Sequence, residues 1–234
     1  MAVAVSASPA PTSVESEFEA LKKIRNYAIL ILVGSVLGIV FSVLAWTSSF
    51  TAAYTAALEG QTGATQTATL QPLSGFLKVS AAASVVGAAV DFASILYLRS
   101  GFKRLVAIGG GEFSVCATLL ILYLVGTAII VPVLVGFYWT VLGMVGTSAT
   151  LSGPPSLGWL LLLFSFLGAA AVGGILLFIG AIGGVILGLW RVGTRYSSDL
   201  FKVASILSII PFLSIVGSIL ILVGAGDART KLSL

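Results

Sequence analysis

The chain has 234 residues, of which 58% are hydrophobic and only 9% charged. Its mean hydropathy is +1.14, which excludes an ordinary soluble domain, where charged residues approach about a quarter of the chain. Twelve Lys and Arg against eight Asp and Glu give a net charge of +4. The bases nevertheless sit in short clusters at the ends of apolar runs, the pattern of topology signals and lipid-headgroup contacts rather than of a nucleic-acid surface. Histidine is absent and Cys116 is the single cysteine. Imidazole metal sites, His-dependent nucleophilic catalysis and an intrachain disulfide are therefore excluded.

These bounds predict an all-α, polytopic transmembrane helical bundle of about five spans with its N-terminus inside. Residues 1–15 are rich in Ser, Ala and Pro, with Glu15 as their one charge, and read as a disordered tail. Residues 16–25 place acids before bases, as a short helix favours. Phe18, Leu21 and Ile24 fall on one side, so an amphipathic interfacial segment is expected there. The first span covers about residues 26–46 and carries the pair Gly34 and Gly38, a spacing that lets two helices approach closely. Thr47 to Gly75, rich in Thr, Ala and Gln, reads as a loop.

The second span, about residues 76–98, contains Asp91. A carboxylate within an apolar run is costly unless it is paired, protonated or facing water, so Asp91 is the candidate intramembrane polar site. Its expected partners are Arg99 or Arg191, or a Ser or Thr on a neighbouring helix. Arg99, Lys103 and Arg104 follow, and then Gly109-Gly110-Gly111, which lacks the Gly-Lys-Ser/Thr ending of a phosphate loop. The third span, about residues 113–138, holds Pro132, where a kink is expected.

The fourth span, about residues 158–190, has no charged residue and carries Gly180, Gly184 and Gly188 at four-residue spacing, which makes a smooth strip for helix packing. At about 1.5 Å per residue it exceeds the roughly 30 Å hydrocarbon core, so it is either one long helix or a hairpin turning at its glycines. The fifth span, about residues 200–223, contains Pro211 and Gly217, and residues 227–234 form a short tail. With five spans the inner side holds Lys22, Lys23, Arg25, Arg99, Lys103, Arg104, Arg191, Arg195 and Lys202. Lys78, Arg229 and Lys231 are left outside, and the hairpin alternative partitions them less well. One long fourth helix, with the C-terminus outside, is the expectation. Trp46, Trp139, Trp159 and Trp190 fall near span ends, as interfacial anchors do.

Gly224-Ala225-Gly226-Asp227 matches the Gly-x-Gly-Asp string of intramembrane aspartyl proteases, with Asp91 as a conceivable second carboxylate. In a five-span topology, however, the two acids fall at opposite faces of the membrane.

The segment Gly180-Ala181-Ile182-Gly183-Gly184-Val185-Ile186-Leu187-Gly188-Leu189-Trp190-Arg191-Val192-Gly193-Thr194-Arg195-Tyr196, together with Ile209-Ile210-Pro211, Gly217 and the earlier Leu21-Lys22-Lys23-Ile24-Arg25, carries a resemblance. It resembles uncharacterised multi-pass membrane proteins found mainly in thermophilic crenarchaea, a domain of unknown function. The resemblance implies an archaeal plasma membrane, and brings no activity and no catalytic residues. A single Asn26 and two methionines agree with a high-temperature source.

The functional expectation is a structural or accessory membrane protein that contacts lipids and assembles with itself or with other membrane proteins through its glycine-rich helices. No catalytic residue, metal, cofactor, nucleic acid or enzymatic activity is expected. The alternative is a small transporter or channel that uses Asp91, with the kinks at Pro132 and Pro211 lining its path.

Overall fold

The computed structural model describes residues 13–60, 71–146, 157–208, 210 and 213–233. The chain folds into α1 (Ser13–Gly60), α2 (Gln71–Ala107), α3 (Phe113–Gly146), α4 (Leu157–Gly180), α5 (Leu187–Arg195), α6 (Asp199–Leu207) and α7 (Ser214–Leu232), with a π-helical segment, Ala181–Ile186, between α4 and α5. It is an all-helical bundle. Among the described residues, four helices are long and apolar enough to cross a membrane: Val14–Thr55, Gly75–Ala107, Phe113–Gly143 and Leu160–Arg195.

Several boundaries differ from those the sequence suggests. Residues 16–25 are continuous with α1, and their apolar side is buried at Ala20, Leu21 and Ile24. The interfacial segment is thus the first turns of a core helix. At its far end α1 continues to Gly60 and so takes in residues 47–60 of the stretch expected as a loop. The hydroxyls there are satisfied inside the helix: Ser42 donates to the Gly38 carbonyl at 2.8 Å, Thr47 to Val43 at 2.9 Å and Ser49 to Ala45 at 2.8 Å. Such back-bonding lets Ser and Thr stay helical where no water competes. Pro132 lies inside α3, which runs on as one helix to Gly146. Residues 1–12, most of the expected tail, lie outside the described residues.

The long fourth run is one helical rod, α4 continuing through the π segment into α5, and not a hairpin. The fifth run is the reverse case, divided into the nine-residue α6 and the nineteen-residue α7. These two are antiparallel, since a Cβ on Gly224 of α7 would touch Leu200 and the Phe201 ring near the start of α6 at 3.3 Å. Pro211, where a kink is expected, lies outside the described residues.

α6 and α7 therefore form an antiparallel hairpin, and α7 ends where α1 begins. Arg229 stands over the Phe18 ring, 5.5 Å from its centre. Both described ends of the chain lie at the same end of the bundle, which corrects the expected outward C-terminus. Counted again, Arg229 and Lys231 join the nine bases expected on the inner side and only Lys78 remains opposite. That is a sharper positive-inside bias than five spans allow.

The core sits at this shared end. Leu21 and Ile24 of α1, Leu98 and Phe102 of α2, Phe113 and Leu120 of α3, Leu189 and Val192 of α5, Phe201 of α6 and Ile221 of α7 are all buried there. Two helix ends close it with the same backbone pattern. After α2, Gly110 N–H reaches the Leu105 carbonyl at 2.9 Å and Gly109 N–H the Val106 carbonyl at 3.2 Å, with Gly109 left-handed at φ 91°. After α5, Ser198 bonds to Gly193 at 2.8 Å and Ser197 to Thr194 at 3.3 Å, with Ser197 left-handed at φ 48°. Both are Schellman closures, and glycine is the residue that takes this turn without a Cβ clash. The Gly109-Gly110-Gly111 run is thus a helix terminator. The opposite end of the bundle is more open: Phe50, Trp139 and Leu157 are 75%, 77% and 77% exposed.

Candidate functional site

Neighbouring helices form a closed circuit, α1 to α2, α2 to α3, α3 to α4 and the π segment, α5 to α6, α6 to α7, and α7 back to α1. Within it lies a cavity of about 610 Å³, open on one side. α1 contributes Tyr27, Gly34 and Ser35 to its wall, and α2 contributes Gly87, Val90, Asp91 and Ile95. Tyr123 of α3 and Phe178 of α4 face it, with Ala181, Ile182, Val185 and Ile186 of the π segment. The hairpin supplies Ser208, Ser214, Ser218 and Ile221. Among the described residues, Asp91 is the one charged side chain in this lining.

Asp91 is held by a neighbour that the sequence reading did not single out. The Tyr123 hydroxyl donates to Asp91 Oδ2 at 2.8 Å, and the Ser94 hydroxyl to the Asp91 backbone carbonyl at 2.7 Å. The expected arginine partners are engaged elsewhere. Arg99 Nε donates to the Ala117 carbonyl at 3.2 Å. Arg191 donates to the Glu112 carbonyl and lies 3.5 Å from Cys116 Sγ. Each guanidinium finds carbonyl oxygens at the end of the bundle, where α2 meets α3 and α5 meets α3, and so does not turn toward the cavity.

Glycines position Tyr123. A Cβ on Gly180 would lie 2.6 Å from Tyr123 Cβ and 2.7 Å from its Cα, so the rod can rest on α3 at this point only because Gly180 has no side chain. Gly184 sits against Leu120 and Gly188 against the Phe102 ring in the same way. From the other side, a Cβ on Gly126 would come within 2.6 Å of Leu177 N. On α1, Gly34 faces Val90 of α2 at 3.1 Å, whereas Gly38 has nothing within 4 Å. The strip formed by Gly180, Gly184 and Gly188 is thus covered by α2 and α3 of the same chain.

The π segment begins directly after Gly180, and the Leu187 N–H bonds to the Ile182 carbonyl, five residues back. One extra residue is accommodated in this turn, and such bulges recur beside functional sites. Here it presents four residues to the cavity.

The basic residues of the shared end form ion pairs and cap helix ends. Arg195 holds Glu17 at 2.6 Å and lies 3.9 Å from Glu112, and Arg104 pairs with Glu19. Lys23 stands over the Tyr97 ring at 5.2 Å, while Lys22, Arg25 and Lys103 are exposed. Burial, and then the Glu17 charge, push the Tyr196 phenol up to about 12. The hydrogen bond from Lys202 holds the Asp199 carboxyl below its ordinary value. Asp227 pairs with Lys231 at 3.0 Å along α7 and not with Asp91, so these two acids do not form a dyad. Among the described residues, no three carboxylate or thiol groups converge as metal ligands would.

Sequence reasoning found Asp91 but missed Tyr123, Tyr27 and the serines of the hairpin. A signal for Tyr123 did exist. It lies about three turns into its span, too deep for an interfacial anchor, and a phenol at that depth requires a hydrogen-bond acceptor.

No curated protein and no solved structure matches the chain. Residues 17–233 match the model of a family described as a protein of unknown function, DUF973. That match runs unbroken from the first turns of α1 to the end of α7, and the chain therefore belongs to the DUF973 family.

Proposed function

We propose that this protein is a small transporter or channel of the plasma membrane, with the cavity around Asp91 as its substrate site. One observation carries the reading: a cavity of about 610 Å³ bordered by α1, α2, α3, α4, the π segment and the α6–α7 hairpin, with an intramembrane carboxylate in its wall whose neighbour is a phenol and not a base. An acid placed in this way, at the cost of burying it, marks ion and proton paths. The broken hairpin beside it is the kind of irregular backbone that membranes tolerate only around protein-lined cavities.

The test is proton movement in proteoliposomes under an imposed pH gradient, read by an entrapped pH-sensitive dye. The wild-type chain is expected to dissipate the gradient, and Asp91→Asn to behave like protein-free vesicles. Equal rates for the two proteins refute the reading.

A structural or accessory role is the second reading, with homo-oligomers or other membrane proteins as partners. The glycine strip that motivated it is occupied within the chain. The face that favours it now is the far half of α1, where Val43, Trp46 and Phe50 are exposed together. A monodisperse monomer in mild detergent would count against it.

A further inference from the structure

We infer that the substrate of the Asp91 cavity is a monovalent organic cation with an apolar body, an alkyl- or aryl-substituted ammonium. This rests on the transport reading above and adds the chemical class.

Charge decides the sign. Among the described residues the lining carries one carboxylate and no Lys or Arg. Arg99 and Arg191 are directed elsewhere, to the carbonyls of Ala117 and Glu112. An anion would meet Asp91 with no compensating base, whereas a cation offsets the cost of holding that carboxylate away from water.

Size decides between a bare ion and a molecule. The cavity of about 610 Å³ is roughly twenty times the share of liquid volume taken by one water, about 30 Å³. It falls instead within the range of roughly 300–1,000 Å³ that accommodates small organic ligands. A hard metal ion would also need about six oxygen ligands converging on one point, and the wall brings only one carboxylate to it.

The character of the wall describes the rest of the molecule. Tyr27, Tyr123 and Phe178 line the same cavity as Asp91, and aromatic faces attract alkylated ammonium groups. Ile31, Ile130 and Ile182 offer the apolar surface that a hydrocarbon body needs. Tyr123 occupies one position on Oδ2. A carboxylate offers about four lone-pair sites, so the same bond that orients Asp91 leaves it able to face a cation.

The experiment is equilibrium binding of radiolabelled tetraphenylphosphonium to the full-length protein in detergent, with tetraphenylborate as a competitor of matched shape and opposite charge. Saturable binding near one per chain is expected, displaced by alkylammonium salts and not by tetraphenylborate. Asp91→Asn should weaken it by about tenfold or more, the scale of one close charge contact away from bulk water. Asp91→Glu keeps the charge and should retain binding within a few-fold; loss of binding in both variants, each with wild-type thermal stability, overturns the assignment. Absence of saturable binding to the wild-type chain, or equal displacement by tetraphenylborate, also overturns it. If Asp91-dependent proton movement persists while phosphonium binding is absent, the transport reading stands and the organic-cation class fails. Asp91-dependent binding without proton movement leaves the cation class standing and removes the transport reading.

Discussion

The contact between Gly180 and Tyr123 offers a direct test of how the glycine strip supports the cavity. In Gly180→Ala the new methyl would lie 2.6 Å from Tyr123 Cβ and 2.7 Å from Tyr123 Cα, against an ordinary contact distance of 3.4 Å or more. Neither atom is the movable tip of a side chain, and the Tyr123 backbone nitrogen lies closer still, so the rod and α3 must separate by at least about 0.8 Å in an interior that does not compress. Carried to the phenol, that displacement lengthens the 2.8 Å bond to Asp91 beyond hydrogen-bond range. Overpacking costs about 1–3 kcal/mol and the lost hydrogen bond about 1 kcal/mol. The better helix propensity of Ala returns up to about 1 kcal/mol. The net loss is roughly 1–3 kcal/mol, a fall of about 2–12 °C for a chain of this size. Cys116 supplies the assay, because its thiol is 1% exposed and reacts with a thiol-activated fluorophore only on unfolding. Gly38→Ala is the control, since nothing lies within 4 Å of that position, and it should match wild type or exceed it by up to about 1 kcal/mol through helix propensity alone. If the two variants melt together, the glycine strip does not set the position of Tyr123.

Three further outcomes are expected. Ser197→Gly should raise stability by about 1 kcal/mol, because Ser197 holds the left-handed position that Gly109 takes in the equivalent closure; the melting assay above reads it, and Gly109→Ser should fall by a similar amount. With the lone thiol buried, cysteines introduced at Lys22 and Ser233 should react with an impermeant maleimide from one side of sealed vesicles, and one at Tyr54 from the other. Labelling of Lys22→Cys and Ser233→Cys from opposite sides would disprove that the α6–α7 hairpin returns the chain to the side where α1 begins. The Tyr196 phenol is raised from 10.0 to about 12 by burial, so the unfolded chain ionises first. Stability tied to this group is complete below about pH 10 and is lost as pH rises through about 12; Tyr196→Phe should flatten that part of the pH profile.

The helices were legible because apolar runs without charge leave the backbone no partner but itself in hydrocarbon. Asp91 was legible for the same reason, as an acid where acids are expensive. The hairpin was not, since residues 200–223 are apolar enough and long enough to suggest a crossing. What folds them back is tertiary, Arg229 on the Phe18 ring and Gly224 against Phe201, and neither contact has a local signature. The Asp91 partner was missed because Arg99, Arg191 and neighbouring Ser or Thr were the expected partners of an acid, whereas Arg99 and Arg191 donate to backbone carbonyls instead. The glycine spacing revealed close packing without revealing that the packing partner is the same chain.

The π segment has a consequence for how this family can vary. A π turn holds one residue more than the α-turn it replaces, so it behaves as an insertion tolerated in the middle of a rod. Deleting one residue of Ala181–Ile186 would let the turn revert to α-helix and leave everything after it close to its present orientation, since the wide turn already absorbs the extra residue. Arg191 would stay against Glu112 and Cys116, and Arg195 against Glu17, while the residues that the segment presents to the cavity would change. The segment is thus a place where the cavity wall can vary without disturbing the ion pairs at the shared end. A relative that lacks this residue should keep its bases at positions 191 and 195.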